Sequence, residues 1–292
     1  MAIRSAGRTV GLLILLVLTT GVVGGAIHLS AAVEAPLRVM GSRAEASRVD
    51  ASFGADLPRG TAPAVEIPDP RTGVWAVVVG IDDYPGSGRD LRAGVADALD
   101  MAATLDHYGV PADHRQVLLD GAATRDAVVR ALDWLAANAG PKATAVFFFS
   151  GHVREVHGDP DGDGEETDET MVFADDGLMT DGELKGVLDR TQARRQWVAM
   201  AGCFAGGFDD IMAPGRLLTG ASPEGSLAYE NDRFDRTYLV EYMLRRAILQ
   251  GSAPNSIQDA FNWATDALRK DYPSRLPVMF DQLGEPLVLS AA

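Results

Sequence analysis

The sequence predicts an α/β domain: a mostly parallel sheet with helices covering both faces. Short continuous runs of β-branched and aromatic residues, helical apolar spacing between them, and glycine or proline at the joints point to it. Strands that alternate with helices form parallel sheets between helical layers, and strands buried on both faces read as unbroken apolar runs.

V-W-A-V-V-V-G-I (74–81) is the first strand. Leu91, Val95, Ala98, Leu99, Ala102 and Leu105 then recur at helical spacing, and Gly109-Val110-Pro111 stops the helix. Q-V-L-L (116–119) is a second strand, and Thr124 caps a helix with Val128, Leu132 and Leu135 on its apolar face. A-T-A-V-F-F-F (143–149) is the third strand. After a long polar loop come a helix over 183–188, a fourth strand W-V-A-M-A (197–201) and a fifth, R-L-L-T-G (216–220). Helices are expected over about 236–250 and 256–270, and P-V-M-F (277–280) and P-L-V-L (286–289) read as strands closing the sheet.

The N-terminal part differs. Arg4 and Arg8 precede an uncharged apolar run over 10–27. At helical rise that run covers about 27 Å, close to the hydrocarbon thickness of a bilayer. Basic residues on its N-terminal side keep that end in the cytoplasm and send the rest outward. Residues 1–33 are therefore read as a signal anchor; the small residues Ser30, Ala31 and Ala32 also fit the end of a cleavable signal peptide. Both readings place the main domain outside the cytoplasm, at the cell membrane or secreted. Residues 34–72 lack helical or alternating periodicity and read as a disordered linker, leaving 73–292 as the folded domain.

Composition bounds the chemistry. Hydrophobic content of 47% and charged content of 23% are globular values. A formal net charge of −15 without a basic cluster excludes nucleic-acid binding. The chain holds one cysteine, Cys203, so an intramolecular disulfide is impossible. That leaves a small buried apolar residue or a nucleophile.

Ligands of open parallel sheets bind at the carboxyl ends of the strands. Two strongly apolar strands end in polar or reactive residues, S-G-H (150–152) and G-C (202–203). This brings His152 and Cys203 toward one cleft. A thiol needs a base to become a nucleophile, and an imidazole also protonates a leaving amine. Acyl transfer further needs donors for the oxyanion, which the backbone N–H groups around Gly151 to Val153 and at Cys203 would supply. H-V-R-E-V-H (152–157) matches neither zinc-protease spacing, and no G-x-S-x-G elbow occurs.

F-F-F-S-G-H, followed 51 residues later by the cysteine of A-G-C-F-A-G-G, resembles the caspase and metacaspase superfamily. The likeness extends to W-A-V-V-V-G-I-D-D-Y, D-L-R-A-G-V-A-D-A-L-D-M, the acidic D-G-D-G-E-E-T-D-E-T-M-V and L-M-T-D-G-E-L, over roughly 74–250. The resemblance implies a cysteine peptidase on a caspase-like three-layer α/β fold, acting on protein or peptide substrates. It makes Cys203 the nucleophile, His152 the acid/base, and the N–H groups of Cys203 and Val153 the oxyanion donors. It also maps Asp97 to one of two carboxylates that bind a basic substrate side chain; the second position is Ala201. Two further departures are Val153, where the family has glycine, and Phe204, where metacaspases commonly have histidine.

No cofactor is required by this chemistry. Asp159, Asp161 and Asp163 open an EF-hand-like pattern whose twelfth position is Thr170 rather than glutamate, so a looser calcium site is the alternative to a solvated acidic loop. Val153 and Ala201 favour a rival reading, a non-catalytic binding or scaffold domain that keeps the fold; the intact dyad opposes it. An amidase or transpeptidase with the same dyad is a third.

Overall fold

The computed structural model describes residues 71–290, apart from 87, 159, 161, 163 and 165. The expected anchor or signal segment, nearly all of the linker, and Asp159, Asp161 and Asp163 lie outside the described residues. Among the described residues no helix is long and apolar enough to cross a membrane.

The central sheet has six strands. β1 (Val74–Gly80), β2 (Arg115–Leu119), β3 (Thr144–Ser150), β7 (Arg195–Met200) and β8 (Arg216–Gly220) are parallel, and β11 (Val278–Asp281) pairs antiparallel with β8. The order is β11-β8-β7-β3-β1-β2. The chain moves outward from β1 to β2 and then returns to the other side of β1, so the order reverses between β1 and β3, where clefts form in such sheets.

The unbroken apolar runs follow from burial on both faces. Trp75, Val77 and Val79 of β1, with Phe147 and Phe149 of β3, join one core with Val128, Leu132 and Leu135 of α2 (Arg125–Asn138) and Leu184 and Leu188 of α3 (Asp181–Arg190). The alternate residues Val74, Ala76, Val78, Val146 and Phe148 join the other. There they meet Met101 and Leu105 of α1 (Gly94–His107), a π-helix (Val240–Leu249) and α4 (Ile257–Asp271). Alternation across the strand sends successive side chains to opposite cores. Leu99, counted on the apolar face of α1, is 51% exposed instead.

Local chemistry sets the helix ends. Thr124 accepts the Ala127 N–H as N-cap of α2, and Thr180 and Glu183 form a reciprocal capping box on α3. α1 starts at Gly94 rather than Leu91, because the Asp82 carboxylate accepts the N–H groups of Gly94 (2.7 Å) and Val95 (3.3 Å). A β-carbon on Gly80 would strike the Gly94 carbonyl and Ala98, and one on Gly94 would strike the Ile81 backbone. Two glycines therefore let α1 lie directly on the end of β1.

Three expectations are corrected. The polar loop after β3 contains a three-stranded sheet, β4 (Val153–His157), β5 (Thr167–Val172) and β6 (Leu178–Thr180), in the order β4-β5-β6. The segment 286–289 is no strand: Leu287 and Leu289 bury beside α4, and the Leu287 carbonyl accepts the Ile257 N–H (2.9 Å). The helix expected from 236 starts at Val240, behind the short pair β9 (Glu230–Asn231) and β10 (Arg236–Thr237).

Candidate active site

β3 and β7 are neighbours, and their last register pair is Phe149 with Met200. His152 lies three residues beyond Phe149, and Cys203 three beyond Met200. The 51-residue separation of the pair equals the strand register, so both side chains leave at the same level from strands about 4.8 Å apart. His152 and Cys203 line one cleft with Leu91, Ser150, Tyr229 and Glu230.

The imidazole is held on two sides. Its Nε2 lies 2.7 Å from the Arg89 carbonyl. A carbonyl only accepts, so Nε2 carries the proton of the neutral ring and Nδ1 is left as the base. The Tyr84 ring packs at 4.6 Å and 49° to the imidazole. The Tyr84 hydroxyl accepts the His152 backbone N–H (2.8 Å) and donates to the Val172 carbonyl (3.2 Å). Burial pushes that hydroxyl far above its usual titration range, so it remains a donor.

The cysteine sits where the chain turns sharply. Phe204 takes a left-handed conformation (φ 52°), which costs a non-glycine residue about 1–2 kcal/mol. Its N–H is fixed to the Ser226 carbonyl (2.8 Å). A β-carbon on Gly202 would lie 2.9 Å from Val153 Cγ2 and 3.0 Å from the Gly151 carbonyl, so glycine is needed for the two strand ends to close up. Cys203 is half-buried with its sulfur 3.8 Å from the Ala228 carbonyl. Burial pushes the thiol upward, so it rests protonated and a base must draw off its proton.

Val153 occupies regular extended backbone in β4, not an unusual conformation. Its β-branched side chain suits that position, so the glycine-to-valine departure carries no strain. Val153 faces Met171, while the flanking Val172 N–H bonds to the His152 carbonyl (2.9 Å). That marks a non-hydrogen-bonded pair, so the Val153 N–H points away from β5.

Asp97 is completely buried. Its Oδ2 lies 2.9 Å from Ser150 Oγ and its Oδ1 accepts the Thr237 N–H at 3.2 Å. Both partners line the cleft, so Asp97 supports the cleft from beneath. Burial is the main cause that pushes its carboxyl up to about 8. Ala201 presents only a methyl group to the same cleft. Among the described residues no group of three or more histidine, cysteine, aspartate or glutamate side chains is arranged to hold a metal ion.

Sequence reasoning missed Tyr84, the Arg89 carbonyl and Glu230. Tyr84 stands in the I-D-D-Y run, but nothing local reveals its reach to residue 152.

Residues 74–211 match the caspase domain family. Metacaspase-2 of Trypanosoma brucei brucei is 31% identical over 152 residues, covering 48% of this chain and 43% of that protein. Metacaspase-1 of Meyerozyma guilliermondii is 30% identical over 125 residues, covering 39% and 30%. The chain thus spans less than half the length of these relatives. A solved structure from Geobacter sulfurreducens superposes with a TM-score of 0.57 at 19% identity, covering 71% of this chain and 92% of that one; this likeness concerns the fold alone. The matched region spans β1 to the turn after Cys203, and over it the chain is similar to the caspase domain and to the metacaspases.

Proposed function

We propose that the chain is a cysteine endopeptidase working through the Cys203/His152 dyad. The observation that carries this reading is the register match, which delivers sulfur and imidazole to one cleft from adjacent strand ends. His152 Nδ1 takes the thiol proton as sulfur attacks the peptide carbonyl. The N–H groups of Cys203 and Val153 receive the oxyanion. As the tetrahedral intermediate collapses, the imidazolium gives its proton to the departing amine and a thioester remains. Water then attacks the thioester, His152 takes its proton and returns it to sulfur, and the free acid leaves.

The Arg89 carbonyl acts as the orienting group, fixing the tautomer that presents Nδ1. Tyr84 is a positioning residue, because it ties the His152 backbone to β5 and packs against the ring. The extended backbone at Val153 removes one of the two features that favoured a non-catalytic scaffold.

A peptide acyloxymethyl ketone, applied with and without added calcium, tests the reading. Wild-type protein is expected to gain the acyl-methyl adduct on Cys203, whereas Cys203→Ala gains none and His152→Ala gains it far more slowly. Equal labelling of wild type and Cys203→Ala removes the dyad from consideration.

A further inference from the structure

His152 borders two spaces. One is the cleft it shares with Cys203; the other is a cavity of about 520 Å³ that Cys203 does not line, walled by Val153, Arg154, Arg89 and Asp176. That volume is ordinary for a ligand site. In the proposed cycle the imidazolium gives its proton to the departing amine, so the amine lies against His152. The residues that follow the amine continue away from sulfur, toward this second cavity.

β4 begins at the cavity and is the edge strand of its sheet. Val153 and Met171 are a non-hydrogen-bonded pair, so Glu155 and Glu169, two residues on, are another. The N–H and C=O groups of Val153 and Glu155 therefore face outward from a free edge, and Glu155 is exposed. Arg154 sits between them. Its side chain and that of Glu155 leave opposite faces of the strand, and across β5 it meets Thr170 rather than an acid. Among the described residues no acid pairs with the Arg154 guanidinium. Arg89 is already paired with Asp176, and Asp175 is engaged by the N–H groups of Arg125 and Gly177. The cavity is thus left with one positive charge in excess, in a chain whose net charge is −15.

Resting on the peptidase reading above, we infer that the leaving half of the substrate lies along the free edge of β4, and that Arg154 binds the carboxylate of a glutamate or aspartate one or two residues beyond the scissile bond. The backbone of that half exchanges hydrogen bonds with Glu155, as an added strand does, and the guanidinium fork receives the carboxylate oxygens. The oxyanion donor at Val153 and this edge belong to one strand. The strand that polarises the carbonyl therefore also aligns the chain that departs.

The test uses the full chain and internally quenched peptides that share one acyl half and differ only by glutamate or glutamine at the first or the second residue after the scissile bond. Contacts to the leaving half act while the amine is still attached, so they register in kcat/KM, which runs through acylation. Wild type is expected to favour glutamate about threefold or more at one of the two positions, the size of a partly exposed ion pair. Arg154→Gln loses the charge, so the ratio falls toward unity; Arg154→Lys keeps the charge and the preference. An undiminished ratio in Arg154→Gln overturns the inference, because a purely structural arginine would lower both rates together. The unmodified protein gives a readout independent of any variant's folding: its glutamate preference falls as salt is raised, since added ions screen such a pair. A salt-insensitive ratio counts against Arg154. Extending the leaving half from one residue to four is expected to raise kcat/KM, and no gain removes the pairing with β4. If wild type cleaves the glutamate and glutamine peptides equally well, this inference fails and the peptidase reading stands. If wild type cleaves no peptide at all, the peptidase reading fails and takes the inference with it.

Discussion

Replacing Asp97 by asparagine is expected to make the protein more stable at neutral pH and to flatten its stability profile. In the unfolded chain this carboxyl titrates near 3.8; in the fold, burial raises it to about 8. Below 3.8 both states are protonated and burial costs no charge. Between the two values the unfolded state is ionised and the folded state is not, so stability falls as pH rises and is lost through the folded value near 8. The slope is up to about 1.4 kcal/mol per pH unit, which amounts to roughly 4 kcal/mol between the unfolded value and pH 7. The protonated carboxyl can donate from Oδ2 to Ser150 Oγ, whose hydroxyl then turns to the Ala201 carbonyl at 3.5 Å. An asparagine reproduces this pattern, its amide nitrogen donating to Ser150 and its oxygen accepting from Thr237, and it has no charge to bury. Urea unfolding of both proteins at several pH values between 4 and 9 measures the difference, in which the titration of every other group cancels. The gap should open in favour of the variant from about pH 4 and level off above about 8. Parallel curves, or a variant equally destabilised at every pH, would refute the buried neutral carboxyl.

Tyr84→Phe removes the hydroxyl that joins His152 to Val172 and is expected to cost about 1–3 kcal/mol, seen as a fall in Tm of roughly 3–10 °C. The same change should slow acyloxymethyl ketone labelling of Cys203 by about tenfold, the equivalent of ~1.4 kcal/mol of lost orientation; an unchanged labelling rate would deny Tyr84 its positioning role. Gly80→Ala drives a β-carbon into the Gly94 carbonyl and Ala98, and should destabilise by about 1–3 kcal/mol in urea titration. The apolar run over 10–27 predicts that the full-length chain fractionates with membranes, and an intact mass lacking the residues up to Ala32 would identify a cleaved signal instead.

The sequence by itself determined the parallel core and the strand ends that carry His152 and Cys203. Strands β1, β3 and β7 are covered on both faces, so their residues must be apolar without interruption, and such runs are legible one strand at a time. Their ends are equally legible, because the first polar residues after a buried strand mark where the chain leaves the core; His152 and Cys203 follow there. Tertiary structure decided what depends on partners distant in the chain. The sheet β4-β5-β6 has polar strands, including buried Asp168, Glu169 and Thr170, whose places no hydrophobic pattern discloses. The Arg89 carbonyl is a backbone atom available at every residue, and only the path of the loop before α1 brings it to Nε2. The two acids Asp97 and Glu230 are placed differently around the cleft. One acid is sealed beneath the cleft and the other is turned into it, because register and helix placement, rather than residue type, set which carboxylate meets water.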